Sequence, residues 1–261
     1  MRLRALIICM ITCTACDGLA RAHEQQPDAA SRVRLPTAFV RGVIDDAKAA
    51  AIERAAVAPG IAGIQIDSLG GSETAAIRIA HVVRTHRLPV TVDGMCFSAC
   101  SQYILAASRN VTLRPGSLVA FHTSSYALNV WSRSHLSSGR SYAKVFERTE
   151  PVAAQTASLL STQPARLRAL TASFSALAPL CLEPIPDTDP RAPRVRVRYD
   201  FWVPDAEFMG ALGYQVPPTW PVTRAEVEQR IAQRLPRAEF AYGPPQPAFT
   251  RGLGSCPAGL K

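Results

Sequence analysis

The sequence predicts an α/β fold built on a mainly parallel sheet flanked by helices. Three observations predict it. Strand-like apolar runs and helical periods alternate from residue 33 to residue 122, an order that sets strands side by side with helices covering them. The segment Glu73–Thr85 carries Ala76, Ile77, Ile79, Ala80 and Val83 at helical spacing. Small-residue turns, Gly70-Gly71 and Gly94 to Cys100, stand where apolar runs give way to helices.

Taken in order, residues 23–32 are polar, and Val33 to Val43 reads as largely strand with a break at Gly42. Asp45 and Asp46 open an Ala-rich helix over about 46–57, since an aspartate accepts the first unpaired N–H groups of a helix. Pro59-Gly60 ends it, and Ile61 to Asp67 is a buried-type strand running into Gly70-Gly71. After the helix Glu73–Thr85 come a third strand, Leu88–Val92, and a helix, Ser98–Ala107. Val111–Leu113 is a short strand, and Ser117–Phe121 is the strand that delivers His122. Farther on, Ser141–Leu160 reads as helix despite Pro151, Pro164–Leu177 as a second helix, and Pro184–Pro193 as a Pro/Asp-rich loop. Arg194–Val203 reads as strand, Asp205–Leu212 as a short helix ended by Gly213, and Arg224–Leu235 as a last amphipathic helix. The last 25 residues, rich in Pro and Gly, are expected to be irregular.

A chain of 261 residues, 48% hydrophobic and 19% charged, has the material for an ordinary globular core. Its net charge of +9 comes from arginines scattered without a basic block or interleaved aromatics, which argues against nucleic acid as a partner. Arg194, Arg196 and Arg198 alternate with Val195, Val197 and Tyr199, the period of a strand with one cationic face.

Residues 1–22 differ from the rest. Arg2 and Arg4 precede an apolar run and small residues ending in Ala20-Arg21-Ala22, the layout of a secretory signal peptide cleaved after Ala22. The competing reading is a lipoprotein box, Cys13-Thr14-Ala15-Cys16, with lipid on Cys16. Either way the mature chain is expected to be exported and periplasmic, and a membrane enters only through a lipidated Cys16. No later stretch approaches the ~20 apolar residues of a membrane span. The expected organisation is a leader over 1–22, an α/β domain over 33–216, and a C-terminal helix with an irregular tail over 217–261. Removing the leader leaves Cys96, Cys100, Cys181 and Cys256, an even number suited to an oxidising compartment and open to three pairings. Cys96 with Cys100 is within reach if the helix begins between them, and Cys181 with Cys256 would then tie down the tail. Metal ligation is the alternative, without a histidine at the usual spacing.

The chemistry concentrates in Gly94-Met95-Cys96-Phe97-Ser98-Ala99-Cys100, with Asp67-Ser68-Leu69-Gly70-Gly71-Ser72 before it and His122 after it. A serine needs a base to become a nucleophile. A helix starting at the serine turns free N–H groups and a positive dipole end toward a developing oxyanion. The N–H of Ala99 and one from Gly70 or Gly71 are the candidate donors. His81, His86 and His135 have no companion motif and read as surface residues.

These segments resemble the Clp protease proteolytic subunit, within the crotonase-like superfamily, and more closely its exported bacterial relatives with a Cys-x-Ser-Ala-Cys nucleophile segment. The resemblance spans residues 33–125 well and 140–216 loosely. It implies a crotonase-like spiral of repeated strand–helix units, with Ser98 as nucleophile, His122 as base, and Gly70, Gly71 and Ala99 around the oxyanion. The family's acidic segment matches Asp187-Thr188-Asp189, which lies farther past His122 than in the family. Asp187 is therefore the candidate acid, with Glu183 and Asp200 as rivals. Cys96 and Cys100 replace small or apolar family residues. The implied function is a serine peptidase acting on unfolded chains or short peptides, without a cofactor. An ATP-driven unfoldase is not expected outside the cytoplasm, and homo-oligomerisation stays open. The alternatives are an inactive envelope protein that binds through the same fold, and a crotonase-type acyl-CoA enzyme, which an export signal disfavours.

Overall fold

The computed structural model describes residues 35–57, 60–183, 193–245 and 252–258. The leader reading, Cys16 and Asp187 lie outside these residues. Strand β1 (Thr37–Arg41) leads into helix α1 (Asp46–Val57), whose first turn is closed by Asp45 Oδ1 accepting the Lys48 N–H at 2.8 Å. Strand β2 (Gly63–Ser68) is followed by α2 (Glu73–Thr85), capped by Ser72 Oγ on the Ala75 N–H. Strand β3 (Val90–Phe97) runs into a π-helix (Cys100–Leu105). Strands β4 (Val111–Leu113) and β5 (Leu118–Ala120) follow. The main sheet also takes β9 (Tyr214–Gln215) and is parallel throughout, in the order β1-β2-β3-β4-β9. The α/β class with a mainly parallel sheet and flanking helices is therefore observed.

β3 holds the sheet together by changing partner along its length. Its first half, Val90–Val92, pairs with β4, and its second half, Met95–Phe97, pairs with β5. Sequence reading ends this strand at Val92, short of the small-residue segment Gly94 to Cys100. The strand continues through a bulge: Ile66 faces Val92 but Ser68 faces Cys96. Asp67 Oδ1 accepts the Met95 N–H at 2.9 Å and stitches the strand onward. Gly94 sits at φ +133°, and a Cβ there would fall 2.5 Å from that same oxygen, so only glycine fits.

Helix α3 (Ser125–Arg133), a 3-10 turn (Leu136–Ser138), α4 (Arg140–Leu159) and α5 (Pro164–Ala176) come next. Sequence reading does not assign α3, although its signals are local: Ser124 Oγ caps it on the Ala127 N–H at 3.0 Å, and Ala127 and Trp131 lie one turn apart on its buried side. That side packs into a small aromatic core where Trp131 meets Tyr142, Phe174, Leu182 and Leu253. Pro151 is tolerated within α4 on its exposed face, where water can serve the carbonyl it leaves unpaired.

The stretch read as one strand over Arg194–Val203 is two. β7 (Arg194–Val197) pairs antiparallel with β6 (Pro179–Glu183), and β8 (Phe201–Val203) pairs parallel with β10 (Phe240–Tyr242). Between them the N–H groups of Arg198, Tyr199 and Asp200 turn to the carbonyls of Leu177, Ala178 and Glu239, which breaks the ladder. β10 is likewise strand inside a region read as irregular, because its Phe240 packs into the core. Helices α6 (Ala206–Ala211) and α7 (Arg224–Ile231) complete the order.

Buried Arg166 closes the far end of the π-helix by donating to the carbonyls of Leu105, Ala106 and Ser108. Among the described residues two disulfides are present, Cys96–Cys100 and Cys181–Cys256. The second joins residues 75 apart and lies beside the hydrogen bonds Leu182 N–H to Gly254 and Cys256 N–H to Leu182. Replacing Cys181 and Cys256 together by serine is expected to lower stability by about 2–4 kcal/mol, mainly by freeing the unfolded chain. Urea denaturation measures it, and an unchanged midpoint contradicts the expectation.

Candidate active site

Ser98 stands between β3 and the π-helix at φ +57°. Sequence reading starts the helix at Ser98; the structure starts it after Ser98, because a residue in the left-handed region cannot belong to a right-handed helix. This sharp turn lifts the Ser98 side chain out of the strand. Its N–H goes to the Ala120 carbonyl at 3.2 Å, and its carbonyl accepts the Gln102 N–H at 3.0 Å. Ser101 Oγ lies 2.9 Å from the Ser98 carbonyl and 2.7 Å from that of Ala120, so Ser101 fastens the turn to β5 rather than serving chemistry. The Cys96–Cys100 bridge spans the turn with a Cα separation of 5.3 Å. Such a spacing is awkward within a regular helix, and here a strand residue and a π-helical one supply it.

β5 ends one residue before Phe121 and presents His122 opposite. Ser98 Oγ and His122 Nε2 are 2.6 Å apart. His122 Nδ1 lies 2.7 Å from the Thr123 carbonyl. A carbonyl can only accept, so Nδ1 carries the hydrogen and Nε2 is left to accept the serine hydroxyl proton. The backbone carbonyl of His122 receives Gln102 Nε2 at 2.7 Å and Ser173 Oγ at 3.1 Å. Gln102 is fully buried and its Oε1 has no partner, a cost of about 1–3 kcal/mol accepted where its amide fixes the base. Phe201 stands edge-on to the imidazole at 6.0 Å. Burial holds the His122 pKa below the ordinary 6.5, and the Thr123 carbonyl and the charge of Glu73 offset part of that.

The glycine turn closes the third side. Gly70 sits at φ +103°, and a Cβ there would fall 2.5 Å from Ser98 Cβ and 2.8 Å from its Oγ. The two candidate donors of the pair are not equivalent. Gly70 gives its N–H to Ser68 Oγ at 3.0 Å, so it is not the oxyanion donor. Among the described residues, no protein acceptor takes the N–H of Gly71 or of Ala99.

The candidate acids are elsewhere. Glu183 pairs with Arg196 at 3.3 Å, and Asp200 accepts the Glu239 N–H at 2.9 Å; neither touches His122. Asp187 lies outside the described residues. The acid whose charge acts on His122 is Glu73, which enters the sequence reading only as the first residue of a helix. Gln102 and Ser173 were also missed. Gln102 stands one turn past Ser98, the signal that would have found it. A cavity of about 450 Å³ opens beside Thr123 and Glu73, walled by Leu128, Val145, Val152 and Val195, with Arg148 and Arg194 also lining it. Among the described residues no group of His, Cys, Asp and Glu gathers to hold a metal ion, and no helix is long and apolar enough to cross a membrane.

No protein-family model matches the chain, and no curated protein matches it. Among solved structures it is similar to a mutant of ClpP1 from Listeria monocytogenes. The two share 16% identity over 49% of this chain and 77% of that one, with a TM-score of 0.33. The likeness is coarse.

The lowered pKa has a consequence for stability. Above pH 6.5 the imidazole is neutral in both the folded and unfolded chain. As pH falls toward the lowered midpoint, the unfolded chain binds the proton first, so stability declines through that window. An NMR titration of His122 is expected to give a midpoint below 6.5; a midpoint at or above it contradicts the burial argument.

Proposed function

We propose that this chain is an exported, Clp-protease-like serine hydrolase that cleaves peptide bonds of unfolded chains or short peptides. The observation that carries the reading is the 2.6 Å contact of Ser98 Oγ with an Nε2 that its tautomer leaves as acceptor. In the proposed reaction Ser98 Oγ attacks the substrate carbonyl carbon while Nε2 takes its proton. The N–H groups of Gly71 and Ala99 receive the oxyanion. The imidazolium returns the proton to the leaving amine, and water then releases the acyl group by the reverse sequence. The Thr123 carbonyl holds Nδ1–H in place of a carboxylate. It orients the ring but brings less charge to stabilise the imidazolium. The cavity beside Thr123 is the place for a substrate side chain, its four aliphatic walls favouring an apolar one.

The repeated units β1–α1, β2–α2 and β3–π-helix are read as turns of a crotonase-like spiral. Export rests on the leader, and the two disulfides are compatible with an oxidising compartment. Outside the cytoplasm no ATP drives unfolding, so the substrate must arrive already extended. A second reading, a binding protein of the same fold without turnover, draws on the absence of a carboxylate at Nδ1 among the described residues.

A fluorophosphonate probe is expected to label the protein on Ser98, with no label in Ser98→Ala. Labelling in His122→Ala is expected to be at least about a hundredfold slower. Intact-mass spectrometry reads the adduct. Folded protein that stays unlabelled, or that labels equally as Ser98→Ala, contradicts the proposal.

A further inference from the structure

We infer that Glu73 is the positioning residue of this site, a single carboxylate that fastens together the three segments carrying the glycine turn, Ser98 and His122. The inference rests on the serine–histidine reading above and adds a residue to it.

Glu73 is the first residue of α2, two residues past Gly71. Its Oε1 accepts the hydroxyl of Tyr103, a fully buried residue of the π-helix that follows Ser98. The same oxygen accepts the Ser125 N–H at 3.3 Å, and Oε2 accepts the Ser125 hydroxyl at 2.5 Å. Ser125 opens α3, three residues past His122. Each arm therefore ends within a few residues of a different part of the site. Two helix starts, α2 and α3, turn their positive ends toward this carboxylate. Tyr103 keeps its proton and stays a donor, because burial and the neighbouring carboxylate both push its pKa well above the ordinary value.

Being charged gives the clamp a second effect. The imidazole becomes a cation when it takes the serine proton, and a nearby negative charge favours that form. No carboxylate contacts Nδ1 among the described residues, so Glu73 supplies at longer range what a triad acid supplies directly. The other charged or titratable groups around the carboxylate are Tyr103 from the π-helix, Arg148 from α4 and Arg194 from β7. An ordinary helix-capping role would need only the hydrogen bonds and would leave the histidine's titration where it is.

The test compares the full chain with Glu73→Gln, Glu73→Asp and Glu73→Ala by two readouts. The first is the NMR titration of the His122 imidazole, which needs no catalysis. The second is the rate of fluorophosphonate labelling. Glu73→Gln keeps the size and most hydrogen bonds but drops the charge, and its His122 midpoint is expected to move to lower pH. Glu73→Asp is expected to restore the midpoint toward wild type. Glu73→Ala is expected to label about tenfold slower or worse. If Glu73→Ala does not fold, the glutamine and aspartate variants decide. A folded Glu73→Gln whose His122 midpoint is unmoved overturns the inference, whether or not wild type labels. A moved midpoint in a protein that never labels upholds the electrostatic role of Glu73 and sinks the hydrolase reading instead.

Discussion

Ser98 occupies a backbone conformation that a side-chain-bearing residue avoids, and the site is organised around keeping it there. The left-handed turn costs of order 1–3 kcal/mol. It persists because the chain on both sides is fixed: Phe97 before it and Ala99 and Cys100 after it are fully buried, and a disulfide closes the loop. The hydrogen bonds from Ser98 to Ala120 and from Gln102 to Ser98 leave its backbone no slack. A β-carbon on Gly70 would occupy the space that the serine side chain needs. Strain, disulfide and glycine together present one hydroxyl at the end of a strand.

The base is held with equal care and by different means. Its strand pairs with the second half of β3, the half that exists only because the Asp93-Gly94 bulge carries the strand onward. Ring orientation comes from the Thr123 carbonyl, backbone position from Gln102 and Ser173, and apolar cover from Phe201. Phe201 in turn stacks on Phe240 and touches Phe97, so β8 and β10 act as a wall for the imidazole. The result is a part-buried histidine held below its ordinary pKa, with the negative charge of Glu73 nearby to favour the proton.

Much of this was legible in the sequence where the signal is local. α1 follows from its capping aspartate and α2 from its apolar period, and α4, α5 and β4 fall within a residue of where the sequence puts them. The pairing of a serine turn with a histidine at a strand end follows from motif and order. What escaped is tertiary. The continuation of β3 depends on the Asp67 side chain reaching across from β2. The choice between Gly70 and Gly71 turned on a single Ser68 hydroxyl. Glu73 looked like a helix-opening acid because its function comes from Tyr103 and Ser125, which lie 30 and 52 residues away.

In the proposed reaction an oxygen developing on a substrate bound to Ser98 meets the N–H groups of Gly71 and Ala99. A crystal structure of the protein after reaction with a fluorophosphonate tests it most directly. The expected adduct has phosphorus bonded to Ser98 Oγ, with the phosphoryl oxygen about 2.7–3.1 Å from both amides. An adduct whose phosphoryl oxygen points away from them, or phosphorus bonded to any other residue, would contradict it.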